Sequence, residues 1–219
     1  MIAKGIQVHQ TNIHGWSSAF SVYNTHSQSE IKSSTEYLQI LSSSAFTEFD
    51  IQDGEGWTCM HRAAAFGNAE DIQALLKLGG TPTLQTKNLA WMPIFCAVQF
   101  GNISTFSELS KEHPGFLHMR DIRQWTFLHI AVNARRLEMM KLLISLGSDP
   151  HARTMATKHF VPDDLKCLAV MPTQIARIRG DAVFDSYVKS LKKAGHSVDL
   201  VQSTEGELPD VFWEVEELE

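Results

Sequence analysis

The sequence predicts an all-α fold, a helical solenoid built from a repeated unit, on three observations. The chain matches itself when shifted by 34 residues: Trp57 falls on Trp91 and Trp125, Ala63 on Ala97 and Ala131, and Leu75 on Leu109 and Leu143. The stretches AEDIQALLKLG (69–79) and RLEMMKLLISLG (136–147) carry apolar residues at helical spacing and stop at a glycine. A period of about 34 residues is that of stacked helix pairs, in which neighbours together bury an apolar face that no single unit can bury.

Each element follows in chain order. Residues 1–33 hold many Ser, Thr, Asn and His, show no sustained period, and are expected to be flexible or irregular. Ser33 to Glu36 has capping-box spacing, and the helix after it carries Leu38 and Leu41 in register, so 34–52 reads as a half-repeat that caps the stack. Three repeats follow at about 53–86, 87–120 and 121–153. Thr58 and Thr126 supply hydroxyl caps for a first helix. Gly67 and Gly101 are expected to allow a left-handed turn before the second. Ala131 to Ala176 spans 45 residues, so the last repeat, 171–200, is displaced by an insertion over 154–170, TMATKHFVPDDLKCLAV. An amphipathic helix from about Ala182 to Ala194, closed by Gly195, has Phe184, Tyr187, Val188 and Leu191 on its buried side. Met92 with Phe95, and Met171 with Gln174, replace the Thr and His of the other copies, which predicts modest stability.

TCMHRAA (58–64) and TFLHIAV (126–132) resemble the T-P-L-H-x-A signature of ankyrin repeats, and MPIFCAV (92–98) and MPTQIAR (171–177) supply its Pro. The resemblance covers about residues 34–200 and is closest in kind to single-domain ankyrin proteins of filamentous fungi. It implies an α-solenoid of about four repeats, a helical N-cap and a C-terminal capping helix. It also implies that His61 and His129 hydrogen-bond locally between repeats. Partner binding, carried over by position, falls on Glu55, Trp57, Phe66, Leu89, Trp91, Phe100, Arg123, Trp125 and Arg179. The three tryptophans there either form a binding ridge or stack for stability.

The net charge of −6 is uneven: −2 over residues 1–52, +3 over 53–200, and −7 over 201–219. A body without a concentrated basic face does not point to direct nucleic-acid binding. No apolar run approaches the roughly 18 residues that span a bilayer, and the N-terminal stretch lacks a secretory apolar block. An intracellular monomer of the nucleus or cytoplasm is expected. Cys59, Cys96 and Cys167 form no CxxC pair and read as reduced, buried thiols. Cys59 and His61, two apart on one helix, point away from each other and make no dyad. His113, His118, Asp163 and Asp164 read as surface residues. No phosphate loop, HExxH or GxSxG motif occurs, so no enzyme, cofactor or metal is expected.

The expected function is therefore a non-catalytic protein–protein interaction module. Its acidic tail, GELPDVFWEVEELE, mixes carboxylates with Phe212 and Trp213. That pattern suits a transcriptional activation segment, and with it a co-regulator acting through a DNA-binding partner. The pair Phe212–Trp213 alternatively docks on the last repeat. The other class of function is a cytoplasmic adaptor or scaffold for an enzyme or ubiquitin-ligase complex. The basic groups Arg135, Arg136 and Lys141, and Lys189, Lys192 and Lys193, are solvated faces or receive acidic segments.

Overall fold

A computed structural model of the chain describes residues 10–23, 34–44 and 46–196, and among these it contains ten α-helices and no strand. Helices α3 (Cys59–Phe66) and α4 (Ala69–Lys77) form one pair, α5 (Pro93–Phe100) and α6 (Ile103–Leu109) the next, and α7 (Phe127–Asn133) and α8 (Leu137–Ser145) the third. The fourth pair, after the insertion, is α9 (Pro172–Ile178) and α10 (Asp181–Lys193). Before them stand α1 (Ser18–Ser21) and α2 (Ser34–Ser43). First helices stack on first helices through all four pairs, and among the second helices α2 packs on α4, α4 on α6 and α8 on α10, with one apolar core running through the repeats. Ala63, Ala97 and Ala131 are fully buried within it, where a larger side chain would push the paired helices apart.

The Thr-x-x-His units close as the residue types dictate. The Thr58 side chain accepts from the His61 backbone N–H, and the His61 ring Nδ1 accepts from the Thr58 backbone N–H at 3.0 Å. With Nδ1 committed as an acceptor, the proton sits on Nε2, which donates to the Trp91 carbonyl of the next repeat at 2.9 Å. His129 repeats this with Thr126 and the Val170 carbonyl. Repeat two has only Pro93 at the helix start. In the last repeat Gln174 Oε1 takes over half the histidine's task and accepts from the Met171 N–H at 2.8 Å.

Gly67 departs from expectation. Gly101 is left-handed at φ 75, but Gly67 is extended at φ −89. Close approach is what requires glycine there: a Cβ would lie 2.7 Å from Asp71 Oδ2 and 2.8 Å from the Ala63 carbonyl. Asp71 is fully buried and also accepts from the Ser34 and Thr35 hydroxyls, tying α2 to α4. Gly67→Ala is expected to cost about 1–3 kcal/mol through overpacking. Gly54→Ala, whose Cβ meets nothing within 4 Å, is expected to change stability by under ~0.5 kcal/mol, and urea titration of the two variants beside the parent chain measures both effects.

The segment expected to be irregular holds a further copy of the repeat's opening. Asn12 Oδ1 accepts from the His14 and Trp16 N–H groups, and the Asn12 N–H donates to the Trp16 carbonyl. Asp53 makes the same three bonds with Glu55 and Trp57. Gly15 and Gly56, each just before its Trp, are both left-handed, at φ 77 and 85. Residues 12–21 are thus a loop (here called a finger) and a shortened first helix, and α2 supplies the second. Phe20 is 1% exposed against α3, so this copy shares the core. Ser33, one half of the expected capping box, lies outside the described residues.

Candidate interaction surface

Four tryptophans occupy the same place at the base of successive fingers: Trp16, Trp57, Trp91 and Trp125. Their accessibility falls along the row. Trp16 and Trp57 are half-buried, Trp91 is 9% exposed and Trp125 2%. The expected ridge therefore does not extend over Trp91 and Trp125, and the reason is one buried cluster. Asp121 Oδ2 accepts from the Trp91 indole N–H at 3.0 Å and from Arg123 Nε at 2.9 Å. Asp121 Oδ1 accepts from the backbone N–H groups of Arg123 and Trp125. The Arg123 guanidinium lies 4.2 Å from the Trp125 ring centroid and donates to the Phe160 carbonyl of the insertion. Arg123, expected at the partner surface, is itself buried at 6%. It acts as a scaffold, stacked on indole, with Nε and one terminal nitrogen both donating to Asp121 Oδ2.

Arg179 is also engaged within the chain. Its Nε and one terminal nitrogen donate to Asn133 Oδ1, and its two terminal nitrogens donate to the Asp164 carboxylate. Hydrogen bonding to Arg179 holds the Asp164 carboxyl below its usual range. Asp164, a surface residue as expected, is in addition the latch of the insertion, whose Leu165 is fully buried. Because the pair is partly exposed, Asp164→Ala is expected to cost no more than ~1 kcal/mol. Trypsin should nonetheless cut at Lys158 and Lys166 sooner than in the parent chain, as followed by mass spectrometry.

What remains open lies at the other end. A groove of about 840 Å³ runs between the first two fingers, lined by Trp16, Trp57, Arg62 and Phe66, with Ile13 and Glu55 among its rim residues. The guanidinium of Arg62 lies 4.5 Å from the Trp16 ring centroid and 4.9 Å from that of Phe20. Burial lowers the Arg62 pKa. Phe66 and Phe100, 43% and 36% exposed, meet edge to face at 4.7 Å and extend the apolar surface to repeat two. Leu89 is half-buried, and the exposed Glu55 accepts from Asn88 Nδ2 at 2.6 Å. The structure thus brings Glu55, Trp57 and Phe66 together and adds Trp16 and Arg62. The Gly15-Trp16 pair, an echo of Gly56-Trp57, was the signal for Trp16. Phe212 and Trp213 lie outside the described residues.

The remaining reactive side chains are packed or solvated. Burial pushes the Cys59 thiol up to about 12 and raises Cys96 as well, whereas Cys167 is exposed. His113 is buried, contrary to expectation, and His118 is exposed. Among the described residues no three His, Cys, Asp or Glu stand where they could hold a metal, and no helix is long and apolar enough to cross a membrane.

Two family models match the chain, ankyrin repeats (many copies) over residues 26–76 and ankyrin repeats (3 copies) over 75–154. A stretch of 95 residues is 30% identical to alpha-latrotoxin-Lg1a of Latrodectus geometricus, covering 43% of this chain and 7% of that protein. Alpha-latrotoxin-Lhe1a of Latrodectus hesperus is 33% identical over 86 residues, 39% of this chain and 6% of its own length. The Homo sapiens protein Ankyrin repeat and SOCS box protein 3 is 30% identical over 95 residues, 42% of this chain and 18% of its own. The matched stretch is a small part of each relative.

Proposed function

Since the chain belongs to the ankyrin-repeat family, whose repeats mark protein–protein interaction modules, we propose that it is a non-catalytic module binding its partner at the groove of the first two fingers. One observation carries the assignment: Trp57, Arg62 and Phe66 converge there with accessible surface, while the equivalent tryptophans further on are covered. A partner segment lying between the fingers would bury aromatic and Arg side chains, the types that dominate interface energetics. The repeat histidines His61 and His129 support a non-catalytic reading, since both ring nitrogens of each are already hydrogen-bonded within the fold.

Within that reading the chain is a transcriptional co-regulator that acts through a DNA-binding partner, supported by the acidic aromatic tail and by a body without a basic face. Similarity to the human SOCS box protein favours a second reading, an adaptor in a cytoplasmic enzyme or ubiquitin-ligase complex. Affinity capture by the full chain from native extract, with fractionation of nucleus and cytoplasm, separates them. A DNA-binding factor captured from the nuclear fraction supports the first. Ligase or enzyme subunits from the cytoplasm support the second. Capture of no protein above control, from either fraction, overturns both.

A further inference from the structure

The far face of the last helix pair differs from the same face in every preceding repeat. Four residues after the N-cap of the second helix stand Ile72, Phe106 and Met140, exposed by 0%, 1% and 0%. The equivalent Phe184 is half-buried, because among the described residues no repeat packs on α10 from that side. Six residues after the first-helix N-cap stand Ala64, Val98 and Val132, all fully buried. The equivalent there is Arg177, whose guanidinium lies 4.7 Å from the Phe184 ring centroid. Phe184, Val188 and Lys192 follow one line along α10, at i, i+4 and i+8. Lys189 and Lys193, both exposed, lie beside it, with Asp181 and Asp185 towards the helix start. The end face is thus a half-covered apolar strip with a basic border.

The sequence that follows has the complementary character. Residues 201–219 carry seven acids and no base, with Val211, Phe212, Trp213, Val215 and Leu218 interspersed, and none of the repeat motif. We infer that this segment folds back on its own chain and covers the end face, its Phe212–Trp213 pair over Phe184 and Val188 and its carboxylates against Arg177 and the three lysines. Reach is ample. The 17 residues from Gly195 to Phe212 span up to ~57 Å extended. The 11 residues back from Gly195 to Phe184 rise only ~16 Å along a helix. Charge complementarity favours this surface, where Arg177 and three lysines outnumber Asp181 and Asp185, over the finger groove, whose lining balances Asp53 and Glu55 against Arg62 and Lys87. The docked segment has its aromatic pair buried, so a protein that takes the tail competes with the end face for it. This inference stands apart from the groove assignment, since neither surface contributes to the other.

Hydrogen exchange of the α10 amides in the full chain tests it. The Phe212→Ala/Trp213→Ala double variant should exchange faster in α10 than the parent by ~5-fold or more, with the first three repeats unchanged. Lys189→Glu/Lys192→Glu/Lys193→Glu, at exposed positions, should give the same loss while leaving the thermal transition of the other repeats in place. Equal α10 rates in parent and aromatic variant would overturn the inference. So would protection that the aromatic variant loses around residues 55–66 instead, or that depends on protein concentration, which would assign the tail to the finger groove or to a second copy.

Discussion

Lowering the pH from 7 to 4 is expected to remove about 3 kcal/mol of folding stability for each of His61 and His129, about 6 kcal/mol together. Burial brings both rings down from 6.5 to about 4, and Nδ1 of each is already an acceptor for a backbone N–H, so a second proton has no place to go. The native state consequently binds fewer protons than the unfolded chain below pH 6.5. Stability is fully present above that value, falls as the pH drops towards 4, and levels off below. For a fold of typical stability, ~5–15 kcal/mol, such a loss brings the midpoint of unfolding into the mildly acidic range. Urea titrations at half-unit steps measure the slope. In a His61→Gln/His129→Gln variant, where Gln stands in as it does at Gln174, the curve should flatten between pH 6.5 and 4. An equally steep fall in that variant would place the acid sensitivity elsewhere.

Arg123→Ala is expected to destabilise the chain by about 3–5 kcal/mol, the cost of stranding one member of a buried ion pair. The Asp121 side chain is fully buried and that of Arg123 is 7% exposed, so water does not replace the lost partner. Asp121→Ala should cost at least as much, because the carboxylate also serves the Trp91 indole and two backbone N–H groups. The double variant should be less damaging than the sum of the two, since each single change strands the other's charge. Arg123→Ala also frees the Phe160 carbonyl and should make the insertion more susceptible to trypsin. Urea midpoints with unchanged slope, read by circular dichroism, check the energies. A loss under ~1 kcal/mol would put this pair in the class of solvated surface bridges.

The fold was legible because its signals are local and recur. Thr58 with His61, and Thr126 with His129, announce a helix start and an inter-repeat bond in four residues. The first finger escaped for a physical reason: its Trp16 stands 41 residues before Trp57, and its first helix keeps only four residues, so neither period nor amphipathicity marks it. Gly67 was assigned a left-handed turn because glycine most often serves that need, whereas here a buried carboxylate sets the requirement. Surface residues were the hardest to place. Sequence put Trp57, Trp91 and Trp125 in equivalent positions, and they are equivalent in the backbone. Arg123 and the insertion cover the later two, through contacts of Arg123 with Phe160 and of Arg179 with Asp164, 37 and 15 residues apart. No spacing rule encodes such pairings.

The central claim is that the open aromatic surface of the first two repeats serves binding while the covered tryptophans serve stability. Parallel urea unfolding and affinity capture of a Phe66→Ser/Phe100→Ser variant tests it most directly, because both side chains are exposed and make no hydrogen bond. The expected result is a stability loss of about 1–3 kcal/mol, from the buried parts of the two rings and their edge-to-face contact, that leaves the chain folded by circular dichroism, together with loss of the partner captured by the parent chain. Retention of that partner by the folded variant would contradict the claim and move the binding surface away from the groove.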